Sequence, residues 1–222
     1  MKITILAPGS RGDVQPMLAF GMRLQAAGYD IRFATDASFE TLVSNCELEF
    51  FPIRFDMKKI FESEAGKAGL ESGGNPISMI RNFSRVIAPM VYQTGTDCYA
   101  ACEEADTIIY TMMSSGVGFS IAEKLKRPDI VTFFQPQHPT KAFPSPFSPI
   151  RHNLGSFFNK MTQTMPDLIF WWPYRSVFNQ WRQERLNLPP LGINYPKWYR
   201  SLKKPTLYSF SSNVVPKPSD WG

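Results

Sequence analysis

The sequence of 222 residues has only three cysteines and no apolar run long enough to cross a membrane. Cys46, Cys98 and Cys102 are odd in number, and the last two, four apart in a helical pattern, lack the further partners of a zinc site. We therefore expect reduced structural cysteines and no bound metal. The longest apolar run outside the predicted strands, at 168–174, is far shorter than the ~20 residues of a spanning helix.

A secretory signal pattern is also missing. Met1 is followed at once by the apolar segment ITIL, without a basic region and a separate apolar core. This start leads us to expect a cytoplasmic protein. The tripeptide RGD at 11–13 matches an adhesion motif, but without a secretion signal or a disulfide framework we interpret the match as chance.

Acidic residues are scarce at the carboxyl end. Residues 151–222 hold 10 Lys/Arg against 3 Asp/Glu, whereas residues 1–150 hold 14 against 16. The basic part is also rich in aromatic residues, which is typical of a membrane-surface face, a nucleic-acid face or an amphipathic helical bundle. We favour amphipathic packing, keep the region 151–204 as a candidate membrane surface, and expect no nucleic acid as a partner.

Six short segments are too apolar to have a side facing water, which is typical of strands in a covered parallel sheet. Helical patterns lie between them: one is closed by Gly28, one spans 76–104 with a kink at Pro89, and one lies at 114–128. This alternation predicts an α/β fold, a Rossmann-like doubly wound and mainly parallel sheet, with 1–222 as one domain. The predicted strands are ITIL (3–6), IRFAT (31–35), LEFFPI (48–53), TIIYTM (107–112), DIVTFF (129–134) and TLYSFS (206–211).

Ligands bind such folds at the carboxyl ends of the strands. Asp13, Ser114 and the loop 135–149 all follow predicted strands, so we expect them to converge at this edge. The loop is long and proline-rich, as lids and binding walls often are. The glycine-rich segment 65–76 is expected to be a surface loop and not a domain linker.

The turn from Gly9 to Gly12 joins the first strand to a helix, a setting in which backbone N–H groups can bind a phosphate. It departs from the G-x-G-x-x-G fingerprint, it lacks the lysine of a P-loop, and Asp13 would repel a pyrophosphate. We therefore keep a dinucleotide-binding oxidoreductase only as an alternative enzyme class. Asp13 also fits a helix N-cap, and an acid engaged in capping is less able to accept a proton.

The segment from Gly9 to Gly28, which begins GSRGDVQP, closely resembles the first loop and helix of the sterol 3-beta-glucosyltransferases and the related antibiotic-modifying glycosyltransferases. The resemblance implies the GT-B fold, in which an amino-terminal Rossmann-like domain holds the acceptor and a carboxyl-terminal one holds the nucleotide sugar. It implies that this chain is the acceptor half alone, inactive without its donor domain. Further similar segments are LEFFP (48–52), IAEKL (121–125), QPQHPTKAFP (135–144) and VPKPSDW (215–221).

The resemblance also implies a reaction: inverting, metal-independent transfer of a sugar from a nucleotide-sugar donor, most often UDP-glucose, to a hydrophobic alcohol such as a sterol. No cofactor is implied beyond this co-substrate. Asp13 takes the place of the family's general base, which accepts the proton of the acceptor hydroxyl as the new bond forms. The residues expected to contact the donor are Gly9, Ser10, Arg11 and Gly12.

Plant enzymes of the superfamily have a histidine as base and an aspartate after the fourth strand to orient it, whereas this chain has Thr111-Met-Met-Ser114 there. A carboxylate base has no tautomer to fix, so the difference is expected. His138 is a second candidate base, for which we favour a binding or structural role. Trp171 and Trp172 could line an acceptor pocket or could pack between helices, and the sequence favours neither role. The acceptor-binding candidates are Ser114, Gln135, His138, Phe143, Phe147, Trp171 and Trp172.

An alternative of another class is a binding module without catalysis, in which the basic aromatic end contacts anionic lipid or a protein partner.

Overall fold

The computed structural model describes residues 1–55, 90–146, 148 and 152–221, together with residues 62, 64 and 67. Its strands form one six-stranded parallel sheet in the order β3-β2-β1-β4-β5-β6. All six predicted strands are confirmed, with ends that differ by at most three residues. Their bounds are β1 (Lys2–Leu6), β2 (Asp30–Asp36), β3 (Glu49–Ile53), β4 (Thr107–Thr111), β5 (Asp129–Phe133) and β6 (Thr206–Tyr208).

Helices follow the strands, as the alternating pattern predicts. Gly28 has φ +89°, and its N–H donates to the Gln25 carbonyl at 2.9 Å, so it closes the first helix as expected. Pro89 and the glycine-rich segment 65–76, except Lys67, lie outside the described residues. The helices are α1 (Arg11–Ala26), α2 (Glu40–Ser44), α3 (90–102 of the described residues), α4 (Ser115–Leu125), α5 (Ser156–Leu186) and α6 (Tyr195–Ser201).

Successive side chains of the sheet alternate between two cores, which makes it doubly wound. Ile5 and Phe33 belong to the core beneath α1 and α2, where Met17 covers them. Leu6 and Tyr110 belong to the opposite core, beneath α3, α4 and the second half of α5. Since all strands are parallel, their carboxyl ends share one edge of this layered domain.

Arg182 fastens α5 to α4. Its side chain is almost wholly buried, and its guanidinium donates to Ser120 Oγ and Glu123 Oε2, both at 2.7 Å, and to the Pro189 carbonyl at 2.8 Å. A buried cation is tolerated only when it is paired and hydrogen-bonded in this way. The contact therefore fixes the register of the long helix on the sheet layer.

Two kinds of feature are missing from the described residues. None of the helices there is long and apolar enough to cross a lipid bilayer. Within the same residues, no group of three or more His, Cys, Asp or Glu side chains is placed to hold a metal ion. Cys98 and Cys102 are free and buried in the core, and burial raises the pKa of the Cys98 thiol far above its usual range.

Candidate functional site

Asp13 stands in the first turn of α1, at the carboxyl edge of the sheet. The helix begins at Arg11, so Ser10 is the N-cap and the interpretation of Asp13 as N-cap is wrong. The physical reason is that Ser10 is itself a good capping residue, with an acid three positions later that can reach back. Oδ2 of Asp13 accepts hydrogen bonds from the backbone N and from Oγ of Ser10, both at 2.8 Å.

The second carboxylate oxygen is left available. In the described part of the chain, Asp13 Oδ1 accepts no hydrogen bond, and the side chain is half-buried. One oxygen is thus anchored to the turn, while the other can meet a proton on an incoming hydroxyl. This is the geometry that a general base needs before substrate binds.

Gly9 makes room for this carboxylate. Its φ is +148°, and a Cβ atom built on it would lie 2.5 Å from Asp13 Oδ2, closer than any side chain permits. The three residues that follow it in the turn are exposed to solvent, and Arg11 Nε donates to Gln15 Oε1 at 3.3 Å. The backbone at Arg11 and Gly12 is therefore open at the edge, whereas the N–H and the hydroxyl of Ser10 are already bonded to Asp13.

Ser114 lies deep under the same edge. Its Oγ is buried and donates to the Leu6 carbonyl at 3.1 Å and to the Thr111 carbonyl at 3.3 Å. Leu6 ends β1 and Thr111 ends β4, so Ser114 joins the carboxyl ends of these two strands, while its convergence with Asp13 stays a prediction. The hydroxyl proton of Ser114 is already used inside the protein.

His138 is enclosed by aromatic rings in the loop after β5. Its Nδ1 contacts the hydroxyl of Tyr208, its backbone N–H donates to the same oxygen at 3.2 Å, and its carbonyl accepts from Trp221 Nε1 at 3.2 Å. Tyr208 and Trp221 stack with centroids 4.8 Å apart. Burial, with a smaller effect of the Arg200 charge, lowers the pKa of His138. These contacts join the loop to β6 and to the end of the chain.

The loop is held in place by polar side chains. Gln163 of α5 accepts from the Thr140 backbone N–H at 2.7 Å and donates to the Phe143 carbonyl at 2.7 Å. Asn159 donates to the Lys141 carbonyl at 2.8 Å, and Asp220 accepts from the Thr140 hydroxyl at 2.6 Å. The described part of the loop is accordingly a fixed wall at the edge, which favours the binding wall over the lid.

Sequence reasoning missed Asn159 and Gln163. The available signal was an amide pair four positions apart in an aromatic helix, which places both side chains on one face. Both side chains are buried in the structure. Buried amides need hydrogen-bond partners, and here the side-chain NH2 groups of both residues donate to carbonyls of the neighbouring loop, while Asn159 Oδ1 has no partner among the described residues.

The remaining candidates are dispersed. Phe143 packs edge-on against Trp221, with centroids 6.2 Å apart, and Gln135 is exposed. Trp171 is buried beside Tyr195, with centroids 4.8 Å apart, and donates to the Gly192 carbonyl at 3.0 Å, whereas Trp172 is 69% exposed. The two indoles therefore face different surroundings. Phe147 lies outside the described residues.

A cavity of about 260 Å³ lies beside α6. Its lining contains none of the predicted site residues, although Trp171 contacts two of the lining residues, Gly192 and Tyr195. Its lining consists of Pro190, Leu191, Gly192, Asn194, Tyr195 and Trp198.

Residues 3–144, from the first strand to the wall loop, match the Glycosyltransferase family 28 N-terminal domain. The chain belongs to this family. The match favours the glycosyltransferase interpretation over the dinucleotide-binding oxidoreductase. It covers β1 to β5 and the Asp13 turn, while the assignment of residues 1–222 to a single domain stays a prediction.

Known members extend the similarity to the whole chain. The family 28 chain is 34% identical over 228 residues to sterol 3-beta-glucosyltransferase UGT80B1 of Arabidopsis thaliana, covering 100% of this chain and 36% of that protein. It is 30% identical over 226 residues to UDP-sugar-dependent glycosyltransferase 52 of Dictyostelium discoideum, covering 100% of this chain and 13% of that protein. The chain thus spans about a third or less of the length of these relatives.

Solved structures of GT-B glycosyltransferases share the fold of this family 28 chain. The SsfS6 glycosyltransferase of Streptomyces sp. SF2575 aligns with a TM-score of 0.53 and 17% identity, over 86% of this chain and 48% of that one. The predicted Rossmann-like architecture is confirmed by this alignment and by the observed strand order.

Proposed function

We propose that this chain is the acceptor-binding domain of an inverting glycosyltransferase, with Asp13 as its general base. The observation that carries the proposal is that the two carboxylate oxygens of Asp13 differ in their hydrogen bonding. Oδ2 accepts two hydrogen bonds from Ser10 at 2.8 Å, whereas Oδ1 accepts none from the described residues. A hydroxyl is a poor nucleophile until a base within about 3 Å accepts its proton. Membership of family 28 supports sugar transfer as the reaction that uses this base.

The chemistry follows from the placement of one carboxylate at an open edge. The acceptor oxygen attacks the anomeric carbon while its proton passes to Asp13 Oδ1, and the bond to the nucleotide diphosphate breaks on the opposite side of the sugar. Such a displacement inverts the anomeric configuration and needs no covalent sugar–enzyme intermediate. The negative charge of the carboxylate also stabilises the positive charge that develops on the sugar ring.

We assign the donor as a nucleotide sugar, UDP-glucose, bound by a carboxyl-terminal domain that faces this edge. The names of the relatives, a sterol glucosyltransferase and a UDP-sugar-dependent glycosyltransferase, support this donor and a sterol-like acceptor. On this chain, the exposed residues Arg11 and Gly12 of the turn would face the bound donor, with the glycines leaving room for its close approach. The acceptor would lie between Asp13 and the wall loop, and the transfer would need no metal ion.

The test requires a polypeptide that joins this chain to a donor-binding half. Asp13→Asn keeps the shape of the side chain and an oxygen that Ser10 can donate to, but it cannot take up a proton. We expect kcat to fall on the order of ~10²-fold or more with little change in acceptor affinity, because a general base acts only in the chemical step. Ser10→Ala, which removes one anchoring hydrogen bond but leaves the base, should lose much less.

Two readouts on the wild type complete the test. The proton coupling of the product's anomeric centre, read by NMR, should report a β-glucoside from the α-linked donor. Activity should persist in EDTA. A retained configuration, or wild-type turnover by Asp13→Asn, would refute the mechanism.

A further inference from the structure

The first half of α5 presents an apolar stripe to solvent. Its members are spaced by three or four residues, so they lie on one face of the helix. They are far more exposed than the side chains with which the second half of α5 packs, such as Trp181, which is fully buried. The α5 stripe consists of Phe157 (82% exposed), Met161 (37%), Met165 (49%), Leu168 (36%) and Trp172 (69%).

The length of α5 places this stripe at the carboxyl edge of the sheet. A helix of 31 residues is about 46 Å long, whereas a strand of five residues spans only about 17 Å. The second half of α5 is fastened to α4 through Arg182, and the first half contacts the loop after β5 through Gln163. The first half therefore extends past the ends of the strands, at the same end of the molecule as Asp13.

Basic side chains surround the stripe. Arg175 follows Trp172 by three positions on the same face, and Lys160 lies three positions after Phe157, with its side chain 46% exposed and 4.0 Å from Asp220. The helix α6, which packs on α5 through Tyr195, adds the exposed Lys197.

The acidic side chains of this region already take part in ion pairs or hydrogen bonds. Asp167 is paired with Arg200, Glu184 accepts from the Tyr92 hydroxyl at 3.0 Å, and Asp220 accepts from the Lys141 backbone N–H at 2.9 Å. Among the described residues, by contrast, Arg175, Lys197 and Lys203 form no ion pair. The surface thus has an excess of positive charge beside exposed apolar groups.

We infer that the α5 stripe docks on the surface of a lipid bilayer that contains anionic lipid. Phenylalanine, methionine, leucine and tryptophan on one face of a helix, with lysine and arginine beside them, are the chemistry by which a helix lies in a membrane interface. The excess positive charge complements acidic headgroups, and each nearby cation strengthens binding. This docking is separate from catalysis, and it brings the edge that carries Asp13 close to alcohols dissolved in the membrane.

The structure sharpens the choice of variants. Phe157→Ser/Met165→Ser removes two exposed members of the stripe. Met22→Ser/Tyr29→Ser is the matched control (the α1 control), because Met22 is 45% exposed on α1 and Tyr29, just after this helix, is 37% exposed. Lys197→Glu/Lys203→Glu tests the charge. Lys204 is left intact, because it pairs with the buried carboxylate of Asp129 and its reversal would disturb the core.

The experiment is flotation of the chain with phosphatidylcholine vesicles, with and without about a third phosphatidylserine, and with no sterol or sugar donor present. We expect the wild type and the α1 control to bind the anionic vesicles alike. The stripe variant and the charge variant should each bind these vesicles at least about tenfold more weakly. Binding should also weaken as salt is added. Circular dichroism checks that each variant is folded.

Two results would overturn the inference. One is equal flotation of the wild type and the stripe variant, or no flotation at all. The other is a dimeric wild type that becomes monomeric in the stripe variant on size-exclusion chromatography, which would assign the stripe to a second copy of the chain. Asp13→Asn should float as the wild type does, so failure of the catalytic proposal and failure of membrane docking give different results.

Discussion

Gly9 and Asp13 are in such close contact that a Cβ atom on the glycine would lie 2.5 Å from the carboxylate oxygen Oδ2. The same glycine has φ +148°, a conformation that other residues rarely adopt. The position of the candidate base therefore depends on the absence of a side chain four residues earlier.

Gly9→Ala should both strain the turn and displace Asp13. We expect the free energy of unfolding to fall by about 1–3 kcal/mol, measured by urea denaturation. Gly12→Ala is the matched control: its Cβ would have only Ser10 Oγ nearby, at 3.6 Å, and alanine favours the helix by up to ~1 kcal/mol. If both variants are as stable as the wild type, the packing described for Gly9 is wrong.

His138 should make stability depend on pH. Burial, with the Arg200 charge, lowers its pKa in the folded protein below the ordinary value of 6.5. Between the two values the unfolded chain binds a proton that the folded protein does not, so stability should be full above pH 6.5 and should fall as pH falls through the folded pKa. His138→Gln should remove this part of the pH dependence of the free energy of unfolding, measured by urea denaturation from pH 7 to pH 5. His152→Gln, at an exposed position, should retain it.

Arg182→Ala should be among the most destabilising changes in α5. It leaves the Pro189 carbonyl and Ser120 without their donor and opens a cavity between α4 and α5. We expect a loss of about 3 kcal/mol in the free energy of unfolding. Arg23→Ala, on the exposed face of α1, should change it by less than about 0.5 kcal/mol. Similar values for the two variants would contradict the role of Arg182 as the fastening of α5.

Gln163→Leu should loosen the wall loop without unfolding the protein. The Thr140 amide proton is bonded to Gln163 Oε1 at 2.7 Å, so hydrogen exchange at this amide should quicken on the order of tenfold when the acceptor is removed. Gln180→Leu alters an exposed glutamine on the same helix and should leave the Thr140 amide unchanged. Unchanged exchange in Gln163→Leu would show that other contacts hold the loop.

The strands were predictable because both faces of a covered parallel sheet are buried. Segments such as TIIYT and DIVTF are accordingly apolar on both faces and do not alternate between apolar and polar residues. Their ends were less certain. The last strand ends at Tyr208, although Ser209 still donates to the Phe133 carbonyl at 2.9 Å, because strand ends depend on pairing and not on hydrophobicity alone.

At the candidate site, the sequence singled out the turn and its acid, but it offered Asp13 as a possible N-cap where the structure has Ser10. The pattern Ser-x-x-Asp from Ser10 to Asp13 is a capping-box signal, and it would have placed the helix start correctly. The anchoring of the wall loop could not be read from the sequence in the same way. Its partners, Gln163 and Asp220, are distant in sequence and meet Thr140 only in the folded chain.

The capping arrangement around Asp13 is entirely local, since every group that orients the carboxylate lies within four residues of it. The oxygen that we propose as proton acceptor is therefore oriented by a self-contained segment of chain, independent of the loops that would choose the alcohol. Exchange of the wall loop between related enzymes should change which alcohol is accepted and leave the proton acceptor where it stands.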